Sequence, residues 1–283
     1  MSGLLDSLIR RWPTIRLVLI GLGIVACAYY WYLLTTSMGE PSDAHWYWSA
    51  NPADLYPHPE LLQGNGYNYS PAFELVVGWG RLLPFDVFVA IWRALLLVTL
   101  VWLAGPLTLL VLFTVPVASE VNAGNIQILL AAAIVLGYRK PAWWASTWAF
   151  VLLTKVTPGI GVLWFALRRQ WREFAIAVGV TAAIVLVTFL IWPDRWFAWV
   201  QLLTSGSPPP LAPYFVPFWP RFIVAIVIVV IAAWRCWRWP VVIAATLALP
   251  AFYTISPSLL VGLLPFIRIG AGRWMDRRQM HRH

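Results

Sequence analysis

Ala142 to Leu167 reads AWWASTWAFVLLTKVTPGIGVLWFAL, with Arg139-Lys140 just before it and Arg168, Arg169 and Arg172 just after. Basic clusters beside apolar runs collect on the cytoplasmic side of a bilayer. One straight helix would put these two clusters on opposite sides. The stretch therefore reads as a hairpin bent at LLTKVTPGIG. Pro158 lacks an amide donor and disfavours helix at Thr157, while Gly159 and Gly161 permit unusual backbone angles. Lys155 then lies at the outer or midplane end of two short helices, and irregular backbone at that depth is tolerated where protein or a watery cavity surrounds it.

The chain around this hairpin is of the same kind. Of its 283 residues 61% are hydrophobic and 11% charged, against about 25% charged in soluble domains. This is the composition of an integral membrane protein. Eleven apolar segments can be drawn, from 17–36 to 257–268, several shorter than the roughly 20 residues a full crossing takes. The expected fold is all-α: one polytopic transmembrane bundle over residues 1–283, with about 8–11 helical segments, some short or re-entrant. A cytoplasmic N-terminus and a cytoplasmic Arg139-Lys140 require an even number of crossings before them. One of the first five segments must then not cross by itself, and 71–84 and 106–118 are the candidates.

Net charge is +9, but the basic residues sit in short clusters between apolar runs. That pattern sets membrane orientation and does not imply nucleic acid. It places both termini in the cytoplasm, including the basic tail 268–283. Outer loops are expected at 37–70, which has acidic residues and no Lys or Arg, and at 193–220, rich in proline and aromatics. Residues 17–36 read as a retained span, since no small-residue cleavage site follows them. Cys27 and Cys236 make no disulfide framework.

No phosphate-binding loop, dinucleotide fingerprint or metal-ligand spacing is present. The polar residues that remain gather on the outer side. Asp43, in SDAHWYWSANPADLY (42–56), can act as a general base on a hydroxyl if burial raises its proton affinity; the competing reading is that Ser42 or Asp43 caps a short helix. His45 can hold a phosphate or sugar hydroxyl, or sit at the interface. Tyr67 and Tyr69, in YNYSP, can flatten against a sugar or form an aromatic belt. Glu120, Asn122, Asn125 and Gln127 stand where a helix begins, and its free amides favour an anion, unless a cap takes them. Lys155, Arg195 and Arg221 can grip phosphate oxygens. Arg93, inside a span, is a further candidate with structural pairing as its alternative.

In their order, Asp43 with YWSA and LY, YNYSP, GNIQILL, LLTKVTPG and RRQWRE resemble glycosyltransferase family 87. The resemblance runs from Asp43 to Glu173. It implies a C-type glycosyltransferase fold in a bacterial plasma membrane. The implied reaction moves mannose or another hexose from a polyprenyl-phosphate donor to a glycolipid or glycan acceptor on the extracytoplasmic face, with inversion. The lipid-linked sugar is then the only co-substrate, and neither metal nor other cofactor is required. By position Asp43 matches the base, Asn125 and Gln127 the polar pair opening a helix, and Lys155 a phosphate ligand. His45, Tyr67, Tyr69 and Glu120 would line the sugar, with Arg195 and Arg221 near the phosphate. The order Gly124-Asn125-Ile126-Gln127 departs from the Gly-Gln-x-Asn of many relatives, and the chain has the length of a shortened member. A flippase or transporter for a lipid-linked sugar, or a non-catalytic subunit, are the alternatives; oligomeric state is not legible.

Overall fold

The computed structural model describes residues 2–37, 41–57, 66–205 and 216–268, with side chains described from residue 11 onward and not at residue 205. Its helices are α1 (Ser2–Thr36), α2 (Ser42–Ser49), α3 (Glu74–Val77), α4 (Phe85–Ala104), α5 (Thr108–Leu112), α6 (Val115–Ala123), α7 (Gln127–Gly137), α8 (Trp148–Thr154), α9 (Leu163–Leu167), α10 (Trp171–Ile191), α11 (Pro193–Ser205), α12 (Phe218–Trp234) and α13 (Trp239–Leu247). Tighter 3-10 turns join several of them, at Gly105–Leu107, Ala142–Thr147, Thr157–Val162 and Ser256–Leu263 among others. Among the described residues the only β pairing is an isolated bridge between Asn51 and Asp54. The fold is all-α, as the composition implied.

Long helices stand at the periphery and expose their apolar side chains. The apolar window of α1 is only 17% buried and that of α10 only 11%, so Leu17, Val25, Leu186 and Leu190 face outward. So large an exposed apolar surface is matched by lipid hydrocarbon and not by water. The short elements are inside. α7 and α13 are mostly buried and pack with Thr157–Val162, Ser256–Leu263 and α8. This arrangement satisfies the rule that irregular backbone in a membrane needs protein around it.

The hairpin is present. Helix α8 ends at Thr154, Lys155 is extended (φ −137°, ψ 103°), and the chain returns through Thr157–Val162 and α9. Both its ends lie at one end of the bundle, where Lys140 pairs with Glu173 and the Trp164 indole donates to the Trp237 carbonyl (2.8 Å). At ~2.0 Å per 3-10 residue and ~1.5 Å per α residue each arm reaches roughly 20 Å. A hydrocarbon core is about 30 Å thick. The tip carrying Lys155 thus stops short of the opposite face and is recessed.

The parity question is answered by two features. Residues 71–84 do not cross: they form Pro71–Phe73, α3 and Gly78–Leu82, held to α2 by Arg81, which binds both Glu74 and the Ala50 carbonyl. The helical run Phe85–Leu112 has 28 residues, yet Gly105 breaks it at φ 57°, ψ −121°. Beyond that break the chain runs back beside α1. A Cβ on Gly23 would meet Thr108, Tyr30 packs edge-on against Phe113, and its hydroxyl donates to Ala118 (3.1 Å). Then α6 and α7 meet at 107°. α1, α4, the arm 105–123 and α7 therefore make four traverses before Arg139.

Gly105 lies in a region open in practice to glycine, and a Cβ there would come within 2.4 Å of Arg268 Nη1. Gly105→Ala is expected to lower stability by about 1–3 kcal/mol, read as a fall in the detergent melting temperature.

One expected loop contains a helix. Residues 193–205 form α11, with Trp196, Trp199 and Leu202 buried along one face. The Trp199 indole donates to the Asn68 carbonyl (3.4 Å), tying α11 to the segment before Pro71. Prolines drew attention to irregular backbone here, but Pro193 stands in the first turn, where its missing amide costs nothing. The tail beyond Arg268, and residues 38–40, 58–65 and 206–215 of the expected outer loops, lie outside the described residues.

Candidate active site

The site is built where α2 crosses the joint between α6 and α7. Gly124 ends α6 in the left-handed region (φ 69°), with Asn125 N–H on the Glu120 carbonyl (3.1 Å) and Gly124 N–H on Val121 (3.3 Å). This paired closure is a Schellman motif, for which glycine is the natural residue. The bare Cα serves a second purpose. A Cβ on Gly124 would stand 2.7 Å from Ala44 Cβ, so the missing side chain lets α2 sit directly on the joint. Trp92 locks the joint from below by donating to the Gly124 carbonyl (2.7 Å).

Asp43 does not cap α2. Pro41 occupies the N-cap position, no side chain caps the helix, and the Asp43 carboxylate crosses to Asn125, whose Nδ2 donates to Oδ2 at 3.0 Å. The Asn125 carbonyl oxygen accepts from Ile126 N–H (2.6 Å), which fixes the amide with its donor toward Asp43. Asp43 is half-buried, and burial raises its proton affinity above that of an ordinary carboxylate. The Lys155 charge and the Asn125 hydrogen bond oppose that rise.

Lys155 thus reaches the same place from the hairpin tip. Its charge acts on both Asp43 and Glu120, while the ammonium makes no ion pair or side-chain hydrogen bond with the described residues. Beneath the pair are buried polar atoms with no hydrogen-bond partner, Glu120 Oε2 and Gln127 Oε1. Buried polar atoms are nearly always satisfied in folded proteins, so such orphans favour a place where water or a ligand binds.

Removal of the ammonium carries a pH signature. Lys155→Met takes away the largest influence holding Asp43 ionised. With Asp43 as the base that the resemblance implies, the acid limb of a pH–activity profile is expected to move to higher pH. Activity is then lost at a pH where the unsubstituted chain still works.

Other expected residues have different surroundings. Glu120 is fully buried and its Oε1 accepts from Gln127 N–H and from Ile128 N–H (3.3 Å). The α7 amides expected to meet an anionic ligand are thus taken by the chain's own carboxylate. His45 lies two residues from Asp43, about 200° around the helix, and packs edge-on against Phe85 and Trp46. Tyr67 donates to the Ser70 carbonyl (3.3 Å), and Tyr69 shares a hydrogen bond with Tyr47 (2.9 Å). Both tyrosines are buried in an aromatic wall with Phe73. Of the two, Tyr69 lies within reach of the Asp43 charge.

The other two expected phosphate ligands have these surroundings. Arg221 is buried and donates to the carbonyls of Val216 (2.9 Å), Leu247 (2.6 Å), Leu249 (2.8 Å) and Pro250 (3.4 Å). Helix α13 ends at Leu247, so the guanidinium satisfies carbonyls left open beyond the last turn. Arg195 stacks over Trp192 (4.5 Å) and faces Tyr56. Arg93 likewise serves the fold, donating to Leu34 and Asn122 carbonyls at 2.8 Å each.

Sequence reading missed two tyrosines within the electrostatic reach of Asp43. Tyr47, one helical turn on, is buried on the same face and interacts with Asp43 electrostatically; the i, i+4 spacing was available to find it. Tyr253, partly exposed beyond α13, also senses Asp43. Nothing local marks Tyr253, because the whole bundle lies between it and α2 in the chain.

The arrangement is a carboxylate, an amide and an unpaired ammonium at one end of a polytopic helical bundle. The model of glycosyltransferase family 87 matches residues 67–264, and the chain belongs to that family. It is also similar to a polyprenol-phosphate-mannose-dependent alpha-(1-2)-phosphatidylinositol pentamannoside mannosyltransferase of Mycolicibacterium smegmatis (strain ATCC 700084 / mc(2)155), 26% identical over 148 residues. That match takes in 44% of this chain and 35% of the relative, so it spans about a third of the relative's length. No solved structure matches the chain. The family match begins at Tyr67, so the place of Asp43 in the site rests on its contact with Asn125.

Proposed function

We propose that this chain is a membrane glycosyltransferase that moves a hexose, mannose in the first instance, from a polyprenyl-phosphate donor to a hydroxyl of a glycolipid or glycan. The convergence of Asp43, Asn125 and Lys155 carries this reading. Asp43 accepts the proton of the acceptor hydroxyl, whose oxygen attacks the anomeric carbon. The bond from that carbon to the phosphate oxygen breaks, and polyprenyl phosphate leaves as an anion. Lys155 meets the charge that develops there, the interaction worth most in a water-poor site. One in-line displacement inverts the anomeric centre, so a β-linked donor gives an α product. Asn125 holds the carboxylate in place, which is the positioning that makes a base effective.

The basic clusters support an orientation with Asp43 outside and both termini in the cytoplasm. The recessed hairpin tip suits a donor whose lipid tail lies in the bilayer and whose sugar phosphate rises beside Lys155.

The test is reconstitution of the chain in liposomes with labelled polyprenyl-phosphate mannose and a phosphatidylinositol mannoside acceptor. Label is expected in the acceptor, in α linkage and without added divalent cation. Movement of the donor between leaflets with no transfer would replace the enzyme by a transporter. If neither transfer nor movement occurs, the chain is a non-catalytic member of the family.

A further inference from the structure

The opposite end of the bundle holds a second cluster that the proposed reaction does not use. It is centred on Trp102 near the end of α4. Arg139, from the turn after α7, places its guanidinium 4.8 Å from the centre of the Trp102 ring. Arg268, at the end of the helical run Ser256–Arg268, donates through Nη1 to the carbonyls of Leu103 (3.1 Å) and Trp102 (3.5 Å). The absence of a side chain at Gly105 leaves it room. Helix α1, which packs against Gly105–Leu107, carries Arg16, and both Arg16 and Arg139 repel the charge on Arg268.

None of the three makes an ion pair among the described residues, where the ion pairs are Arg81 with Glu74 and Lys140 with Glu173. Three like charges from distant parts of the chain, with no carboxylate paired to them among the described residues, are an arrangement an anion would stabilise. Among the described residues only Arg268 of the three donates side-chain hydrogen bonds to protein. Guanidinium pairs suit phosphate oxygens, which they can grip through parallel hydrogen bonds. The surroundings choose between a free phosphate and a lipid. Leu17 and Val18 follow Arg16 on α1, Leu107 follows Gly105, and all three are exposed and apolar. A lipid can lay its acyl chains on that surface while its headgroup sits among the arginines.

We propose that Arg16, Arg139 and Arg268 around Trp102 form a binding site for the phosphodiester headgroup of an anionic phospholipid. The site is independent of the reaction at Asp43. It would hold one lipid against α1, the Gly105 break and the helical run Ser256–Arg268.

Native mass spectrometry of the chain, with phosphatidylglycerol or phosphatidylcholine added, tests this. One phosphatidylglycerol is expected to be retained in preference to phosphatidylcholine. Arg16→Gln and Arg139→Gln, both exposed positions, should each weaken that retention about fivefold, the worth of one arginine near a lipid surface. Arg235→Gln is the control, because Arg235 stacks on Trp234 and Trp237 at the same end but outside the cluster. Equal weakening by Arg235→Gln would mean diffuse surface charge and would overturn the site. So would unchanged retention in the Arg16 and Arg139 variants. Displacement of the lipid by inorganic phosphate alone would show a free-phosphate site and overturn the lipid assignment.

Discussion

Asp43→Asn is expected to abolish sugar transfer while leaving the protein folded. The substitution keeps the shape of the side chain, and Asn125 Nδ2 can still donate to the oxygen that remains. Helix α2 rests on Gly124 and on its aromatic face, with Tyr47 buried against Tyr69, Phe73 and Trp92, so its seating does not depend on the carboxylate. What is lost is the group proposed to accept the proton. Removal of a positioned base costs roughly 10²- to 10⁴-fold in rate. The measurement is label transfer in liposomes, with the melting temperature as the check on folding. Full transfer by this variant would remove Asp43 from the mechanism, and a collapse of the melting temperature would make it structural.

Gly124→Ala should be nearly as damaging, for a different reason. The left-handed backbone alone would cost alanine about 1 kcal/mol. The larger effect is steric, since the new methyl would lie 2.7 Å from Ala44 Cβ. Helix α2 must lift, and Asp43 moves away from Asn125 and from the reacting hydroxyl. A displacement near 1 Å at a reacting group can cost about 10²-fold. The double variant Ala44→Gly with Gly124→Ala separates the two causes. With the Ala44 methyl gone the contact is relieved and only the backbone cost remains, so transfer should largely return. If the double variant stays as inactive as the single one, the seat of α2 is not what positions Asp43.

These two residues also show how far local reading reaches. The bend at Thr157-Pro158-Gly159 was legible because proline and glycine act on their own backbone, and because charge clusters on both flanks constrain topology without any packing knowledge. The even number of crossings before Arg139 followed from the same charges. Which segment fails to cross did not, since 71–84 and 106–118 are similarly apolar. Glu74, buried among side chains and bound by Arg81, belongs to a short turn and not to a span. Helix α11 was missed because its buried face is read only once Asn68 and Thr188 are known to lie against it.

For the site, residue type nominated candidates and packing assigned their roles. Asp43 in the first turn of a short helix looks the same whether it caps that helix or leaves it. Asn125, 82 residues away, decides the matter by offering its amide. Glu120 and Arg221 were nominated as polar residues near a helix start and a span mouth. Each is instead consumed by unpaired backbone groups, Glu120 by the amides of α7 and Arg221 by the carbonyls after α13. A sequence displays which side chains carry charge and hydrogen-bonding groups, but not how many of those groups the backbone will claim.

By itself, then, the sequence determined that this is an all-α membrane protein with a bent hairpin carrying Lys155, and that basic clusters flank its apolar runs. These properties depend on composition, periodicity and charge order along the chain. Only the tertiary structure decided that Asp43 meets Asn125 within reach of the Lys155 charge, that Arg221 and Glu120 brace the scaffold, and that Tyr47 is buried on the Asp43 side of α2. Those outcomes depend on which distant segments touch, and a contact between α2 and the α6–α7 joint is set by the space that Gly124 leaves open.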